Sequence, residues 1–242
     1  MKGKGRKFIF ILIQLILYGS FLTLDILERN IALSNKIKFA IVVLCFIYVL
    51  SAGKRDRSRD YRDLVYALAF TVVSDILILL SDYYFFGVST FIIAQQLYGL
   101  RIARLRLREG DAKDSNSVYR GLGIRLLYQL SLAALLLIIL WLADVRIDAL
   151  LVVSLIYFIS ISTNVINIIR LFFKNSDKRD IMYFAIGMIL FLLCDINVGL
   201  FNLSAFLAVT PLYDLIYNVS SILMWTFYAP SQVFIALSGD KS

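Results

Sequence analysis

The 242-residue sequence contains no histidine. That absence removes imidazole-based zinc hydrolysis, Ser-His-Asp and Cys-His nucleophilic catalysis, and histidine proton relays together. The two cysteines, Cys45 and Cys194, fall inside apolar runs, where a free thiol behaves as a small hydrophobe, so no disulfide is expected. Two prolines and twelve glycines leave little material for a turn-rich soluble fold. No phosphate-cradling P-loop pattern occurs. Without histidine a transition metal would need an all-oxygen site, and two carboxylates alone suit Mg²⁺ or Ca²⁺ poorly, so neither metal nor cofactor is expected.

What remains is apolar. Hydrophobic residues make up 60% of the chain and charged residues only 17%, which is the composition of an integral membrane protein. The net charge of +8 does not point to nucleic acid, because the basic residues lie between apolar runs and not on one contiguous stretch. Each apolar run of about 17–25 residues is a candidate spanning helix, since only a helix satisfies its own backbone in lipid. Eight are read, at 8–27, 36–52, 64–82, 84–104, 121–142, 149–173, 181–201 and 212–237. The expected fold is an all-α polytopic membrane bundle, residues 1–242 forming a single domain.

Orientation follows from Lys and Arg. The N-terminus, the 54–62 loop, the 101–125 segment, the 170–179 stretch and Lys241 hold 21 of the 25 basic residues; Arg29, Lys36, Lys38 and Arg146 are the rest. Both termini are therefore expected on the cytoplasmic side, in a bacterial inner membrane. The first run is too long for a signal peptide and no small-residue cleavage site follows it, so it is read as the first anchor.

Most acidic residues lie in loops or at helix ends. Asp75 and Asp195 do not. They stand eleven residues past Leu64 and fourteen past Ile181, roughly 16 and 21 Å in from the cytoplasmic side on helices running the same way. An ionised Asp at that depth costs at least ~2.5–3.5 kcal/mol, so such residues face a protein interior or a wet cavity and usually work. "VVSDILI" around Asp75 is similar to "LLCDINV" around Asp195, and "FIIAQQL" to "YAPSQVF", which sets Gln95 opposite Gln232. The match suggests a parallel four-plus-four repeat with halves 1–108 and 121–242, both aspartates facing a shared cavity open to lipid or the outer side. The structural alternative is a pair of carboxyls hydrogen-bonded across helices.

Other polar groups are weighed the same way. Ser160, Asn164 and Asn167, at i, i+4 and i+7, either bind a lipid headgroup or join helices. Gln95, Gln96, Tyr98, Tyr228 and Gln232 are candidates for the same cavity, while Asn197 and Asn202 sit near the outer end of their helix. Tyr83, Tyr84, Phe85, Phe86 and Trp141 fit an interfacial aromatic belt. Arg101, Arg104 and Arg108 read as a basic exit face gripping lipid phosphate.

Three segments resemble the YhhN-type lysoplasmalogenase family: "ALAFTVVSDILILL…FFGVSTFIIAQQLYGL", "AIGMILFLLCDINVGL" and "WTFYAPSQVFIAL". The resemblance spans about 65–237, with Cys194 where the family has another small residue and Gln95 where it frequently has His. It implies hydrolysis of the vinyl ether bond of a lysophospholipid, releasing a fatty aldehyde and a glycerophospho-base, with Asp75 and Asp195 catalytic. Ser74, Gln95, Tyr98, Asn164, Asn167, Tyr228 and Gln232 are the expected substrate-binding residues. Vinyl ether cleavage begins with slow protonation of the β-carbon, and water captures the resulting oxocarbenium ion. One carboxylic acid can deliver the proton and an ionised neighbour can stabilise the cation, as in glycosidases. Asp75, beside Ser74, is expected to be the better hydrogen-bonded, which favours Asp195 as the acid. The competing class is a non-enzymatic lipid binder or small-solute transporter using the same carboxylates; membrane lipids are the other expected partners.

Overall fold

The computed structural model describes residues 2–52, 58–110, 115–203 and 211–240. Lys54, Arg55, Arg57, Lys113, Lys241, Asp56, Asp111 and Asp114, and the side chains of Lys2 and Lys4, lie outside the described residues. Among the described residues the chain forms eight α-helices and no strand. They are α1 (Lys2–Ile26), α2 (Ile31–Ala52), α3 (Arg59–Asp75), α4 (Tyr84–Arg108), α5 (Ser115–Leu142), α6 (Ala149–Lys174), α7 (Arg179–Leu203) and α8 (Pro211–Leu237).

Seven of the eight are long and apolar enough to cross a membrane. The exception is α4, which carries Gln95, Gln96 and four arginines between Arg101 and Arg108. At 25 residues it is long enough to span. Its polar residues are tolerable because α3, α5 and α6 all pack on it, so they meet protein and not lipid.

The helix ends have local causes. Asp148 caps α6 by accepting the Leu151 amide at 2.7 Å. The turns closing the face opposite the termini use left-handed φ at Asn30, Asp82 and Asp144, types that tolerate that region. The α3 pattern changes directly after Asp75, where Ile76–Leu80 form a single π turn. The Ile76 amide still meets the carbonyls of Val72 and Val73, so α3 runs into that turn without a break in its hydrogen bonds.

Both ends of the described chain lie at one end of the bundle. Arg6 of α1 meets Asp240 just past α8 at 3.4 Å, and the same carboxyl accepts Tyr48 of α2 at 2.6 Å. Helix neighbours repeat between the halves. The contacts α1–α2, α2–α3 and α3–α4 correspond to α5–α6, α6–α7 and α7–α8, and the crossings α4–α6 and α4–α5 correspond to α8–α2 and α8–α1. Small residues permit the closest approaches, as expected where lipid removes the hydrophobic drive between helices. A Cβ at Gly187 would stand 2.9 Å from the Ser231 carbonyl oxygen on α8, and one at Gly87 would stand 3.3 Å from the Ser74 carbonyl oxygen on α3.

Candidate functional site

Asp75 ends the regular part of α3, and its side chain is only 3% exposed. The Tyr228 hydroxyl of α8 lies 2.9 and 2.8 Å from its two carboxylate oxygens, so one phenol proton serves both. Asp195 of α7 is half-buried and accepts the Tyr157 hydroxyl of α6 at 2.7 Å. Two phenol–carboxyl pairs therefore sit on four different helices.

A ladder of rings joins the pairs. Tyr228 meets Phe191 at 5.4 Å, Phe191 meets Phe91 at 5.9 Å, and Phe91 meets Tyr157 at 5.7 Å. Trp225 adds an edge contact to Tyr228 at 5.4 Å. Cys194 lies within electrostatic reach of both carboxyls, and Tyr157 within reach of Tyr228. The partners of the two aspartates differ: the phenol on Asp75 comes from α8 and the one on Asp195 from α6.

The remaining expected residues distribute around this centre. Gln95 is fully buried, its side chain beside the Tyr157 hydroxyl. Asn164 donates to both the backbone carbonyl and the side-chain oxygen of Gln95, each at 2.8 Å. Gln96 donates to Ser160 at 3.2 Å and to Gln129 of α5 at 3.1 Å. Tyr98 points toward Thr71 at 3.5 Å and packs on Phe184. Ser74 donates to the Phe70 carbonyl of its own helix at 2.8 Å and not to Asp75, so each aspartate has one described side-chain donor, a phenol. Gln232 is fully buried and donates to Ser231 at 3.2 Å, with no described hydrogen bond to either aspartate.

Tyr157 is the residue that sequence reasoning missed. Residues 157, 160, 164 and 167 share one face of α6, so the polar stripe read from Ser160 onward continues one turn further.

The basic exit face is a correction. Arg104 is bound to Asp63 at 2.8 Å and Arg108 to Asp180 at 2.7 Å, while Arg101 is 2% exposed and donates to the Ser238 hydroxyl and carbonyl at 2.7 and 2.9 Å. These three arginines tie α4 to α3, α7 and the end of α8, and their charge is spent on protein groups. Arg106, on another face, donates to the Asn167 side-chain oxygen at 2.9 Å. With Arg125 of α5 it borders a groove of about 300 Å³ between α4, α5 and α6, lined also by Tyr128, Thr163 and Asn164.

No group of three or more His, Cys, Asp or Glu residues that could hold a metal ion occurs among the described residues. No curated protein and no solved structure matches the chain. The YhhN family model matches residues 33–239, a span that begins in α2 and takes in both aspartates and both of their phenols. With that match covering most of its length, the chain belongs to the YhhN family.

Proposed function

We propose that this membrane protein is a lysoplasmalogenase-type hydrolase, cleaving the vinyl ether bond of a lysophospholipid into a fatty aldehyde and a glycerophospho-base. The observation that carries the reading is the pair of aspartates, each bonded to a tyrosine and linked through Phe191 and Phe91 into one region. Asp195, the less enclosed carboxyl, delivers its proton to the β-carbon of the vinyl ether. The π electrons form the new C–H bond, and the positive charge is shared by the α-carbon and the ether oxygen. Asp75, with Tyr228 holding a proton between its oxygens, acts as the anion that stabilises this cation and accepts a proton from the attacking water. The hemiacetal then collapses to aldehyde and alcohol: its hydroxyl proton passes to Asp195, the departing oxygen takes the proton held by Asp75, and with both aspartates restored the net consumption is one water. The bundle would reside in a cytoplasmic membrane with both termini inside, following the division of Lys and Arg.

A transporter using the same carboxylates is the second reading, favoured by the π turn directly after Asp75. The bond from the Ile76 amide keeps α3 continuous, unlike the broken helices typical of midplane transport sites. Mass spectrometry of purified protein incubated with a panel of lysolipids separates the two. Release of an aldehyde from the vinyl ether substrate supports the hydrolase; intact lysolipid throughout, together with solute uptake by proteoliposomes, supports the transporter.

A further inference from the structure

The groove between α4, α5 and α6 has no role in the acid–base chemistry, yet two arginines border it and none of the described residues lining it is acidic. Arg125 enters it from α5, a helix that packs only on α4 and α6 and otherwise presents apolar side chains outward. An arginine near the end of a spanning helix ordinarily snorkels to the membrane surface. Arg125 turns inward instead. Its guanidinium lies over Gly99, where any Cβ would overlap it, and donates to the Gln95 backbone carbonyl at 3.1 Å. Its Nε is buried without a described partner, and no described carboxylate pairs with it.

Arg106 is held by the Asn167 side-chain oxygen at 2.9 Å and brings a second guanidinium to the same groove. Asn164 is fixed by its two donations to Gln95, which leave its side-chain oxygen buried without a described hydrogen bond. Guanidinium donors beside an unfilled amide acceptor match a phosphate beside a free hydroxyl.

We propose that this groove binds the phosphodiester of a lysolipid, with Arg125 and Arg106 on the phosphate and the Asn164 oxygen accepting the adjacent glycerol hydroxyl. The proposal takes from the hydrolase reading only that the ligand is a lysolipid. Position along α4 supports it. Gly99, under Arg125, is one turn from Gln95, whose side chain stands beside the Tyr157 that holds Asp195. A turn advances about 5.4 Å, of the order of the glycerol unit that separates phosphate from ether. Since α4 runs toward the end of the bundle bearing both termini, the headgroup would lie on that side and the alkenyl chain toward the other. The lysolipid therefore enters from the leaflet on the side of the termini.

The test is binding, measured by native mass spectrometry in a nonionic detergent on the full chain. The probes are a non-cleavable 1-alkyl lysophospholipid, the matching phosphate-free 1-alkylglycerol, and inorganic phosphate. Wild-type protein is expected to favour the phosphate-bearing lipid over the alkylglycerol, and Arg125→Gln to weaken it roughly tenfold, as for loss of a charged hydrogen bond. Arg125→Lys should retain part of that preference, and Gly99→Ala, which displaces the guanidinium, should resemble Arg125→Gln. Equal affinity of the wild type for the two lipids, or unchanged binding by a folded Arg125→Gln protein, overturns the proposal. Inorganic phosphate competing as well as the lysolipid would assign the groove to a soluble anion and overturn the lipid assignment. Phosphate-dependent binding without aldehyde release from a vinyl ether lysolipid would leave the groove standing and remove the hydrolase reading.

Discussion

Replacing Tyr228 by Phe removes one oxygen and leaves the ring, so the contacts with Phe191 and Trp225 at 5.4 Å each are retained and the fold should survive. What is lost is the only described hydrogen-bond donor to Asp75, a group 3% exposed and closed to replacement by bulk water. A hydrogen bond to an ionised group contributes ~1.5–3 kcal/mol. If Asp75 works as the anion, the population of the working state falls by up to that amount, a drop in kcat of roughly ten- to a hundredfold. Tyr157→Phe makes the same deletion beside Asp195, which in the proposed mechanism is the protonated acid, so the bond lost there is one to an uncharged carboxyl. Its loss should be nearer that of an ordinary net hydrogen bond, ~0.5–1.5 kcal/mol or roughly two- to tenfold. The assay is initial-rate aldehyde release from a vinyl ether lysolipid, trapped as a hydrazone, with thermal melts of each variant as the folding control. A folded Tyr228→Phe protein within twofold of wild type, or a Tyr157→Phe protein damaged more than Tyr228→Phe, would refute the assignment of Asp75 as the anion.

Gly187→Ala should lower the melting temperature by several degrees, because its Cβ would stand 2.9 Å from both a backbone nitrogen and a backbone oxygen of α8, an overpacking cost of ~1–3 kcal/mol. Lys38, paired with Asp25 at 2.8 Å and almost wholly buried, should cost ~3–5 kcal/mol when changed to Met, and Asp25→Asn in the same chain should return much of it, read by chemical unfolding in detergent. Activity should be indifferent to a strong chelator, since each deep aspartate already meets a phenol and no histidine is available to complete a metal site; loss on chelation and recovery with one metal would overturn this.

The membrane class and the helix count were legible because each rests on a local quantity, the length and composition of an apolar run. Composition nearly fails at α4, whose polar face is sheltered by three neighbouring helices that no local window contains. The spacing of Arg101, Arg104 and Arg108 identifies a shared face and nothing about what faces it. Their partners Asp63, Asp180 and Ser238 come from segments distant in sequence, so charges read as lipid contacts are bound within the protein. Tyr157 was hidden for another reason: a tyrosine in an apolar helix looks like any aromatic until a carboxyl is found 2.7 Å from its hydroxyl. The π turn after Asp75 carries no Gly or Pro to announce it. Tyr228 was found only because it shares a short motif with Gln232, and of the two it is Tyr228 that reaches an aspartate.

The most direct test of two aspartates cleaving a vinyl ether is the reaction run in D₂O with wild-type, Asp75→Asn and Asp195→Asn proteins, followed by mass spectrometry of the aldehyde. Protonation of the β-carbon by an exchangeable acid requires the wild-type aldehyde to carry a single deuterium on the carbon next to the carbonyl. Each Asn variant should remain folded and lose nearly all turnover, because Asn can neither donate a carboxylic proton nor carry the negative charge. Aldehyde lacking that deuterium, or substantial turnover in either folded variant, would contradict the mechanism.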